Sequence, residues 1–454
     1  MNITQKDLLK PVGNRGNRQV PGGLITMKSI LRGGRSISNT IPKTSRKREF
    51  SQLLRSMLPS GSWSGRRCFI VGGGPSLKDF DWDLLRGEIS IGINRAFEFF
   101  DPTLLFSMDN RFWMWIERGL FGDKVMNRFR EYRYGLKVWV DVVSAAYSED
   151  IITVPCKGSG VGIWSESLEE GVGTGANSGY AALNLAYLLG ANPIYLLGFD
   201  MQGDPKTGLQ RHFHDGYPNM QKLNVYYRFN NEFKKIAAPA LRNANREVIN
   251  LNPKSDMTCF PRKNWRDAGI TPSSMPTVVA YFSPAYKDEA DRLIDSLRPW
   301  GLKREIVPIP GFGSWINNVR YKPTFLLEML DKVEGPLLYL DADATVDRYP
   351  SLFDGMEGDI AVHLRNGREL LSGTIYLNNT DATRSLLKLW ERECKDNPDK
   401  WDQRCLQTVL GNNQFIVRDL PPEYCAIFDR MPEAGDHPVI THWQASRRLK
   451  GPVK

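Results

Sequence analysis

The chain has 454 residues, of which 41% are hydrophobic and 24% charged, proportions that exclude an extensively disordered or collagen-like protein. This length predicts two or three domains. The formal net charge of +9 resides entirely in residues 1–50, which hold eleven Lys and Arg against two Asp and Glu, so the remaining chain is formally neutral. An evenly basic surface that coats nucleic acid is therefore excluded.

Residues 1–50 are rich in Gly, Asn, Arg and Ser and nearly free of aromatic side chains. Such a segment cannot bury enough apolar surface to offset its chain entropy, so we predict a disordered basic arm. The six cysteines show no C-x-x-C spacing, and no apolar run approaches the ~20 residues of a membrane span. We expect reduced thiols and a soluble cytoplasmic protein, in the host cytoplasm if a phage encodes it.

From residue 66 onward, short apolar strands alternate with helical patterns. Strands are predicted at RRCFIV, EISIGINRAF, PTLLFSMD, LKVWVDV and PIYLLGFDM, and helices at SGYAALNLAYLLGA and over 218–248. This alternation predicts a mostly parallel sheet that is covered on both faces. We assign 51–270 to this first α/β domain, with a Pro- and Ser-rich segment around 252–276 at its end.

A second α/β domain is predicted over 275–454. Its strands are TVVAYFS, KREIVPIP, GPLLYLDADATV, DIAVHLR and GTIYLNN, and its helices cover 286–299, 322–333, 381–395 and 402–410. The predicted fold class is therefore α/β, with two Rossmann-like three-layer units in tandem after the disordered arm.

The D-x-D motif of the second domain carries the most specific chemistry. Asp341 and Asp343 follow a buried strand, at the sheet edge where open α/β sheets bind ligands. Two carboxylates at i and i+2 can converge on one hard cation, and oxygen ligands favour Mn²⁺ or Mg²⁺. Taken alone, D-x-D could equally be a polar loop after a strand.

The segment around this motif resembles nucleotide-sugar glycosyltransferases of the GT-A fold. After the D-x-D come the strand LSGTIYLNN, a helix containing Trp390, the pair Asp402–Gln403 at the start of another helix, and His442 followed by basic residues. The resemblance covers about 275–445. It implies a compact GT-A fold, a nucleotide-sugar donor (UDP- or similar) and a divalent cation.

The resemblance also implies roles for individual residues. Asp343 would bind the metal directly, Asp341 would contact the metal or the ribose, and His442 is the candidate third ligand. Arg447 and Arg448 could stabilise the leaving diphosphate, because negative charge develops there during the reaction.

Further roles in the second domain concern the donor sugar and base. Gly373 belongs to the SGT strand of the donor site, and Tyr281, at the end of the first strand, is the candidate contact of the base. Asp402 would be a general base if the reaction inverts the anomeric configuration, or would stabilise a cation if it retains it. A helix N-cap is the alternative for Asp402.

The first domain contains a glycine-rich turn, FIVGGGPSLKDF, after its first strand. Glycines let backbone N–H groups approach a phosphate, but this is not the G-x-G-x-x-G of dinucleotide folds, so NAD is not predicted. With IGINRAF, SMD, GTGANSGYAALNLAYLLGA and IYLLGFDM, the run resembles the hydroxymethylpterin pyrophosphokinase-like family related to CMP-sugar sialyltransferases, which phages and prophages also carry. This resemblance covers about 66–220.

The second resemblance implies a nucleotide pocket in the first domain. Its contacts would be Gly74, Pro75, Ser76, Asn94, Asp109, Ser178 and Asp200. The loop RHFHDGYP would place His212 and His214 over the pocket, with His214 the better candidate for an acid or base. A hydrogen-bonded structural loop is the alternative.

The leading hypothesis is thus a metal-dependent glycosyltransferase, a hexosyl- or pentosyltransferase that moves a sugar from a nucleotide-sugar to an acceptor. The charge of residues 1–50 suggests a modified base in phage DNA as that acceptor, although such charge runs are more often solvated tails. The alternatives are a pyrophosphokinase or nucleotidyl transferase acting through the first domain, glycosylation of a surface polysaccharide or protein, and a non-enzymatic phage morphogenetic protein.

Overall fold

The computed structural model of the chain describes residues 54–142, 147–158, 162–175, 177–243 and 245–449. The arm predicted at 1–50 lies outside the described residues. All described residues belong to one compact unit, which contains two central sheets. None of the described helices is both long and apolar enough to cross a lipid bilayer.

The first half of the described chain is built on a seven-stranded sheet and a two-stranded ribbon. The strands are β1 (Cys68–Val71), β2 (Ile89–Ile93), β3 (Leu104–Ser107), β4 (Leu136–Asp141), β5 (Ile151–Pro155), β6 (Ile194–Leu197), β7 (Gly203–Asp204), β8 (Leu209–Gln210) and β9 (Val248–Asn250). The sheet has the order β5-β4-β3-β2-β1-β6-β9, and all its pairings are parallel. The chain order therefore reverses beside β1, which lies between β2 and β6.

Four helices flank this sheet: α1 (Asn110–Glu117), α2 (Asp123–Glu131), α3 (Ser178–Leu188) and α4 (Asn224–Asn243). The α3 helix is apolar on all sides and is almost entirely buried, and the side chain of Asn177 caps its first turn by accepting from the Tyr180 N–H. The segment between β1 and β2 forms two short 3₁₀ turns. The first of these turns begins at Pro75, which cannot donate a backbone hydrogen bond.

The second half contains a six-stranded mixed sheet and a three-stranded sheet. The strands are β10 (Thr277–Phe282), β11 (Arg304–Pro308), β12 (Leu337–Leu340), β13 (Ala344–Val346), β14 (Ile360–Arg365), β15 (Glu369–Leu377), β16 (Val417–Asp419), β17 (Ala426–Ile427) and β18 (Ile440–His442). The larger sheet has the order β11-β10-β12-β15-β14-β16, and β15 is antiparallel to both of its neighbours. The smaller sheet has the order β13-β18-β17.

The helices of the second half are α5 (Lys287–Leu297), α6 (Trp315–Arg320), α7 (Lys322–Lys332), α8 (Asp381–Asp396), α9 (Asp402–Asn412) and the short α10 (Ser446–Leu449). Side chains cap two of them: Ser314 accepts from the Asn317 N–H at α6, and Thr380 accepts from the Thr383 N–H at α8. The predicted α/β fold class, with two sheets flanked by helices, is confirmed.

The two halves share one hydrophobic core. Trp63 and Trp300 are buried in the same cluster of side chains as residues of both large sheets. The Trp63 Nε1–H donates to the Pro299 carbonyl at 3.3 Å, and the Tyr134 hydroxyl donates to the Gly301 carbonyl at 2.9 Å. The boundaries predicted for two separate domains, at 270 and 275, stay a prediction.

Candidate functional site

The D-x-D motif lies at the carboxyl end of β12, next to the point where the strand order of the second sheet reverses. A cavity of about 240 Å³ opens there, beside the ends of β10, β11 and β12. Its lining includes Tyr281, Ser283, Tyr286, Trp315, Lys322, Asp341, Asp343, Ser372, Trp401, Asp402, Gln403 and Gln444. This is the position at which open α/β sheets bind their ligands.

Three predicted metal ligands converge at this edge. One ligand atom from each of Asp341, Asp343 and His442 lies within 4.8 Å of the other two. The register of the small sheet brings them together, because β13 and β18 are antiparallel and Ala344 lies opposite His442. The Ala445 N–H donates to Asp343 Oδ2 at 2.7 Å and fixes the position of that carboxylate.

Hydrogen bonding determines which nitrogen of His442 faces the carboxylates. The Thr374 hydroxyl donates to the Tyr424 carbonyl at 2.9 Å, so Thr374 Oγ1 accepts from His442 Nε2 at 2.8 Å. Among the described residues, His442 Nδ1 is buried and has no hydrogen-bond partner. Burial lowers the pKa of His442 to about 4, so the ring is neutral at pH 7 and Nδ1 carries a lone pair.

The two carboxylates have different environments. Burial favours the neutral form of Asp341, but the Lys322 ammonium, His442 and the Tyr339 hydroxyl together outweigh it, and the pKa of Asp341 falls below its ordinary value. Burial and the charge of Asp341 raise the pKa of Asp343 to about 6. Asp341 Oδ1 accepts from Lys322 Nζ at 3.2 Å and from the Tyr339 hydroxyl at 2.9 Å, which leaves Oδ2 on the side of His442.

These groups fit a divalent cation. Two carboxylates and an imidazole lone pair converge in a buried space, where their mutual repulsion is costly unless a cation lies between them. The Nε2–H of His442 is held by a neighbouring oxygen, as is usual for a metal-binding histidine. A mixed set of carboxylate oxygen and imidazole nitrogen suits Mn²⁺ better than Mg²⁺.

Gly373 makes room for this arrangement. A Cβ atom at residue 373 would lie 2.8 Å from His442 Cε1 and 3.2 Å from Asp341 Oδ2. The Gly373 carbonyl also accepts from the Asp341 N–H at 2.9 Å. Gly373 is not among the residues that line the cavity, so its contribution is the close approach of β15 to the ligands.

Lys322 connects the D-x-D motif to Asp402, and the sequence analysis missed it. Its side chain is 2% exposed, and Nζ lies 2.9 Å from Asp402 Oδ2 as well as 3.2 Å from Asp341. Burial lowers the pKa of Lys322, but the two carboxylates outweigh burial and the net pKa is raised. A lysine at the first position of helix α7 opposes the helix dipole, and this could have indicated a specific partner.

Asp402 is buried at the first position of α9 and does not cap that helix. Asp402 Oδ2 accepts from the Ser372 hydroxyl at 2.9 Å, and the Asp402 carbonyl accepts from the Trp390 indole at 2.8 Å. The carboxylate therefore faces the cavity in a fixed orientation, next to the cation of Lys322.

The remaining predicted donor contacts, Arg447, Arg448 and Tyr281, are bound to other parts of the protein. Arg447 donates to Asp429 Oδ2 at 2.5 Å, and Arg448 pairs with Glu289; neither arginine lines the cavity. Tyr281 lines it, but the hydroxyl of Tyr281 donates to the Asn318 carbonyl at 2.8 Å. Tyr286 and Trp315, which the sequence analysis did not name, also line the cavity.

A second, larger cavity of about 480 Å³ lies in the first half, at the carboxyl ends of β1, β2, β3 and β6, where that sheet reverses its strand order. Its volume is in the range of small-molecule sites. The lining includes Gly72, Gly73, Gly74, Asn94, Asp109, Arg111, Trp115, Ser178, Asp200, His212, Tyr217 and Arg228. Five of the predicted nucleotide contacts are among these residues, whereas Pro75 and Ser76 are not.

The glycine-rich turn is bound mainly to other parts of the protein. The Gly74 N–H donates to the Gly198 carbonyl at 2.9 Å, and the Ser76 N–H donates to Asp200 Oδ2 at 2.8 Å. Asp200 Oδ1 accepts from the Ser76 hydroxyl at 2.5 Å and from the Asn252 amide at 2.9 Å. Ser76 and Asp200 thus hold the turn against β6.

The two loop histidines stack on each other, with ring centroids 4.8 Å apart. His214 Nδ1 accepts from the Gly216 N–H at 3.0 Å, and burial lowers the pKa of His214 to about 2. His212, not His214, lines the cavity, and its buried Nε2 has no hydrogen-bond partner among the described residues. The sequence pattern could not distinguish the two because they are only two residues apart.

Three other predicted contacts lie on the wall of this cavity. Asn94 has a left-handed backbone (φ +50°), and its Oδ1 is buried without a hydrogen-bond partner among the described residues. Asp109 caps α1 and pairs with Arg111 at 2.8 Å. Ser178 opens α3, and its hydroxyl accepts from the Met108 N–H at 3.4 Å.

Comparison with known proteins gives similarity to solved structures alone. No protein-family model and no curated protein sequence matches the chain. A glycosyltransferase involved in the glycosylation of the major capsid of PBCV-1 is similar at a TM-score of 0.32 and 13% identity, over 39% of this chain and 97% of that chain.

Two further solved structures are also glycosyltransferases. GlyE of Streptococcus pneumoniae TIGR4 has a TM-score of 0.27 and 17% identity, over 37% of this chain and 55% of that chain. Mouse xyloside xylosyltransferase 1 has a TM-score of 0.27 and 11% identity, over 38% of this chain and 98% of that chain. Because all three TM-scores are below 0.5, the function proposed below rests on the geometry of the site.

Proposed function

We propose that the protein is a metal-dependent glycosyltransferase that uses a nucleotide-sugar donor at the cavity of the second half. One observation carries this proposal: Asp341, Asp343 and the Nδ1 lone pair of His442 converge at the carboxyl end of β12. A divalent cation bound by these groups would neutralise the diphosphate of the donor.

The reaction exchanges one bond at the anomeric carbon of the donor sugar. The acceptor hydroxyl oxygen bonds to that carbon while the carbon–oxygen bond to the diphosphate breaks. The electron pair of the broken bond stays on the nucleoside diphosphate, and the acceptor proton passes to water. Asp402 faces the cavity next to Lys322, where its negative charge would stabilise positive charge at the anomeric carbon.

The chain's own residues orient the reactants. Lys322 and Ser372 hold the Asp402 carboxylate at 2.9 Å each, and Lys322 also contacts Asp341. One buried cation thus sets the separation between the metal-binding carboxylate and Asp402. We propose the nucleoside on the side of Ser283 and Tyr286, with Tyr281 behind it. Arg447 and Arg448 could contact the diphosphate only after leaving their acidic partners.

The direct test is a panel of nucleotide-sugars with the full chain, scored by release of free nucleoside diphosphate. We expect release with at least one donor in Mn²⁺ and none in excess chelator. Absence of release and of donor binding across the panel, with Mn²⁺ present, would contradict the proposal.

The first cavity supports a second candidate function, that of a nucleotide-binding or nucleotidyl-transfer site. The specific observation is the pair of unpartnered polar atoms, Asn94 Oδ1 and His212 Nε2, in a cavity lined by the start of α3 and by Arg111. We expect a nucleoside triphosphate to bind the variant Asp341→Asn/Asp343→Asn as well as the native chain. Loss of that binding in the double variant would assign the nucleotide to the second cavity instead.

A DNA acceptor bound through residues 1–50 also remains a proposal, and that segment lies outside the described residues. Deletion of residues 1–50 should weaken DNA binding and flatten its salt dependence, while donor hydrolysis stays unchanged. Equal DNA binding by the shortened chain would refute the role of this segment.

A further inference from the structure

The mouth of the second cavity exposes an indole next to Asp402. The side chain of Trp401 is 46% exposed, although it lines the cavity and directly precedes Asp402. The Trp315 ring, also in the lining, meets it edge to face, with centroids 6.0 Å apart. Arg404 lies 5.4 Å from the centroid of the Trp401 ring. The two indoles at the cavity mouth therefore offer a flat aromatic surface that a ligand can cover.

The order of groups along the cavity separates this indole from the metal ligands. Lys322 Nζ lies between the carboxylates of Asp341 and Asp402, so Trp401 adjoins the Asp402 end. Tyr286 lines the cavity from the turn that follows β10, close enough to Asp343 and Asp341 for their charges to act on its hydroxyl. A donor whose diphosphate lies at the metal ligands and whose nucleoside lies toward Tyr286 would leave the Trp401 face uncovered.

The charges of the cavity favour an uncharged occupant at this end. Its described lining contains three aspartates and one lysine, and that lysine is already paired with two of the aspartates. A polyphosphate chain such as DNA requires several free cations, and Arg404, beside the Trp401 ring, supplies one. A pyranose instead offers a face of polarised C–H bonds, which matches the negative face of an indole. The Gln403 amide, also in the lining, can both donate to and accept from sugar hydroxyls.

We propose that the acceptor is a neutral pyranoside whose ring packs on the Trp401 indole and presents a hydroxyl to the donor sugar beside Asp402. This inference rests on the proposed glycosyltransferase function and names its acceptor class. The bond exchange is the one given above, with the pyranoside hydroxyl as the attacking oxygen.

The test compares acceptor-free donor hydrolysis with transfer to methyl glucoside, methyl galactoside and methyl mannoside, in the presence of Mn²⁺. In the native chain, we expect at least one glycoside to accelerate nucleoside diphosphate release. Trp401→Ala should raise the KM for that glycoside about tenfold or more, with a smaller effect on acceptor-free hydrolysis. Trp401→Phe should restore most of the affinity, since a phenyl ring keeps a stacking face. Ile416→Ala, another exposed apolar side chain but outside the cavity, is the matched control.

Other outcomes would overturn the inference. If Trp401→Ala lowers hydrolysis and transfer equally, the indole belongs to the donor site. If duplex DNA accelerates release and no glycoside does, the acceptor is a nucleic acid. Binding of the glycosides, measured separately by saturation-transfer NMR, distinguishes the two proposals. Binding that depends on Trp401 supports the sugar site even if no donor is hydrolysed, and absence of both binding and acceleration refutes it.

Discussion

The two cavities lie at equivalent edges of their sheets, but the carboxylates that line them have different partners. In the first, the Asp200 carboxylate accepts from Ser76 and Asn252, and Asp109 pairs with Arg111. In the second, Lys322 pairs with Asp341 and Asp402, whereas among the described residues Asp343 forms no salt bridge and His442 Nδ1 has no hydrogen-bond partner. Because a buried charge is costly unless it is paired, a metal ion would stabilise the second site, whereas the carboxylates of the first already have partners within the protein.

Removal of the two carboxylates proposed to bind the metal should have the largest effect. We expect Asp341→Asn/Asp343→Asn to reduce Mn²⁺-dependent nucleoside diphosphate release by on the order of 10³-fold, since the charge that holds the cation is lost. Mn²⁺ should raise the Tm of the native chain but not of the variant. Asp436→Asn, at an exposed acidic residue, is the control. If Mn²⁺ raises the Tm of the double variant as much as that of the native chain, the ion does not bind at these carboxylates, and the proposed difference between the two cavities is wrong.

The next effect tests the buried cation. Lys322→Met leaves the buried Asp402 without its ion-pair partner and removes the cation beside the partly exposed Asp341, so we expect a loss of about 3–5 kcal/mol in the free energy of unfolding, measured with urea. Lys332→Met is the control. It breaks the ion pair between the exposed side chains of Lys332 and Glu305, and it should lower the free energy of unfolding by less than about 1 kcal/mol. The double variant Lys322→Met/Asp402→Asn should lose less unfolding free energy than Lys322→Met, because it no longer contains the unpaired Asp402 carboxylate. Equal losses of unfolding free energy in Lys322→Met and Lys332→Met would show that the ion pairs of Lys322 contribute little to stability.

A smaller effect is expected at the glycine-rich turn of the first half. Ser76→Ala removes a hydrogen bond to the Asp200 carboxylate, which should cost about 1.5–3 kcal/mol of unfolding free energy. Mn²⁺-dependent release at saturating donor should not change, because Ser76 lies in the other half. Ser62→Ala, which removes an exposed bond to the Pro59 carbonyl, is the control. If Ser76→Ala weakens nucleotide binding without any loss of stability, the serine is a ligand contact, as the sequence analysis predicts.

The smallest effect concerns the space around His442. Gly373→Ala places a methyl group against the imidazole, so we expect about tenfold weaker Mn²⁺ binding by calorimetry. In Gly411→Ala, a Cβ atom meets nothing within 4 Å, so the variant should bind Mn²⁺ normally and be slightly more stable. Native Mn²⁺ affinity in Gly373→Ala would mean that His442 is not a ligand.

The sequence by itself determined most of the elements and the strand ends at which the two cavities open. Alternating apolar segments predicted the parallel first sheet, and the position of Asp341 and Asp343 after an apolar strand predicted their sheet edge. These features depend on local periodicity, which is readable along the chain. The predicted D-x-D strand nevertheless divides into β12 and β13, since the two aspartates turn the chain between two sheets.

Tertiary structure alone decided which side chains meet. The β13–β18 register brings His442 to the aspartates, and the packing of α7 on β12 inserts Lys322 between Asp341 and Asp402. Local periodicity does not encode these contacts, because they join residues far apart in the chain. The same reason explains why Arg447 and Arg448, adjacent to the site in sequence, pair with other acids instead. The sequence thus determined where a site could form, and the long-range register determined which charges it contains.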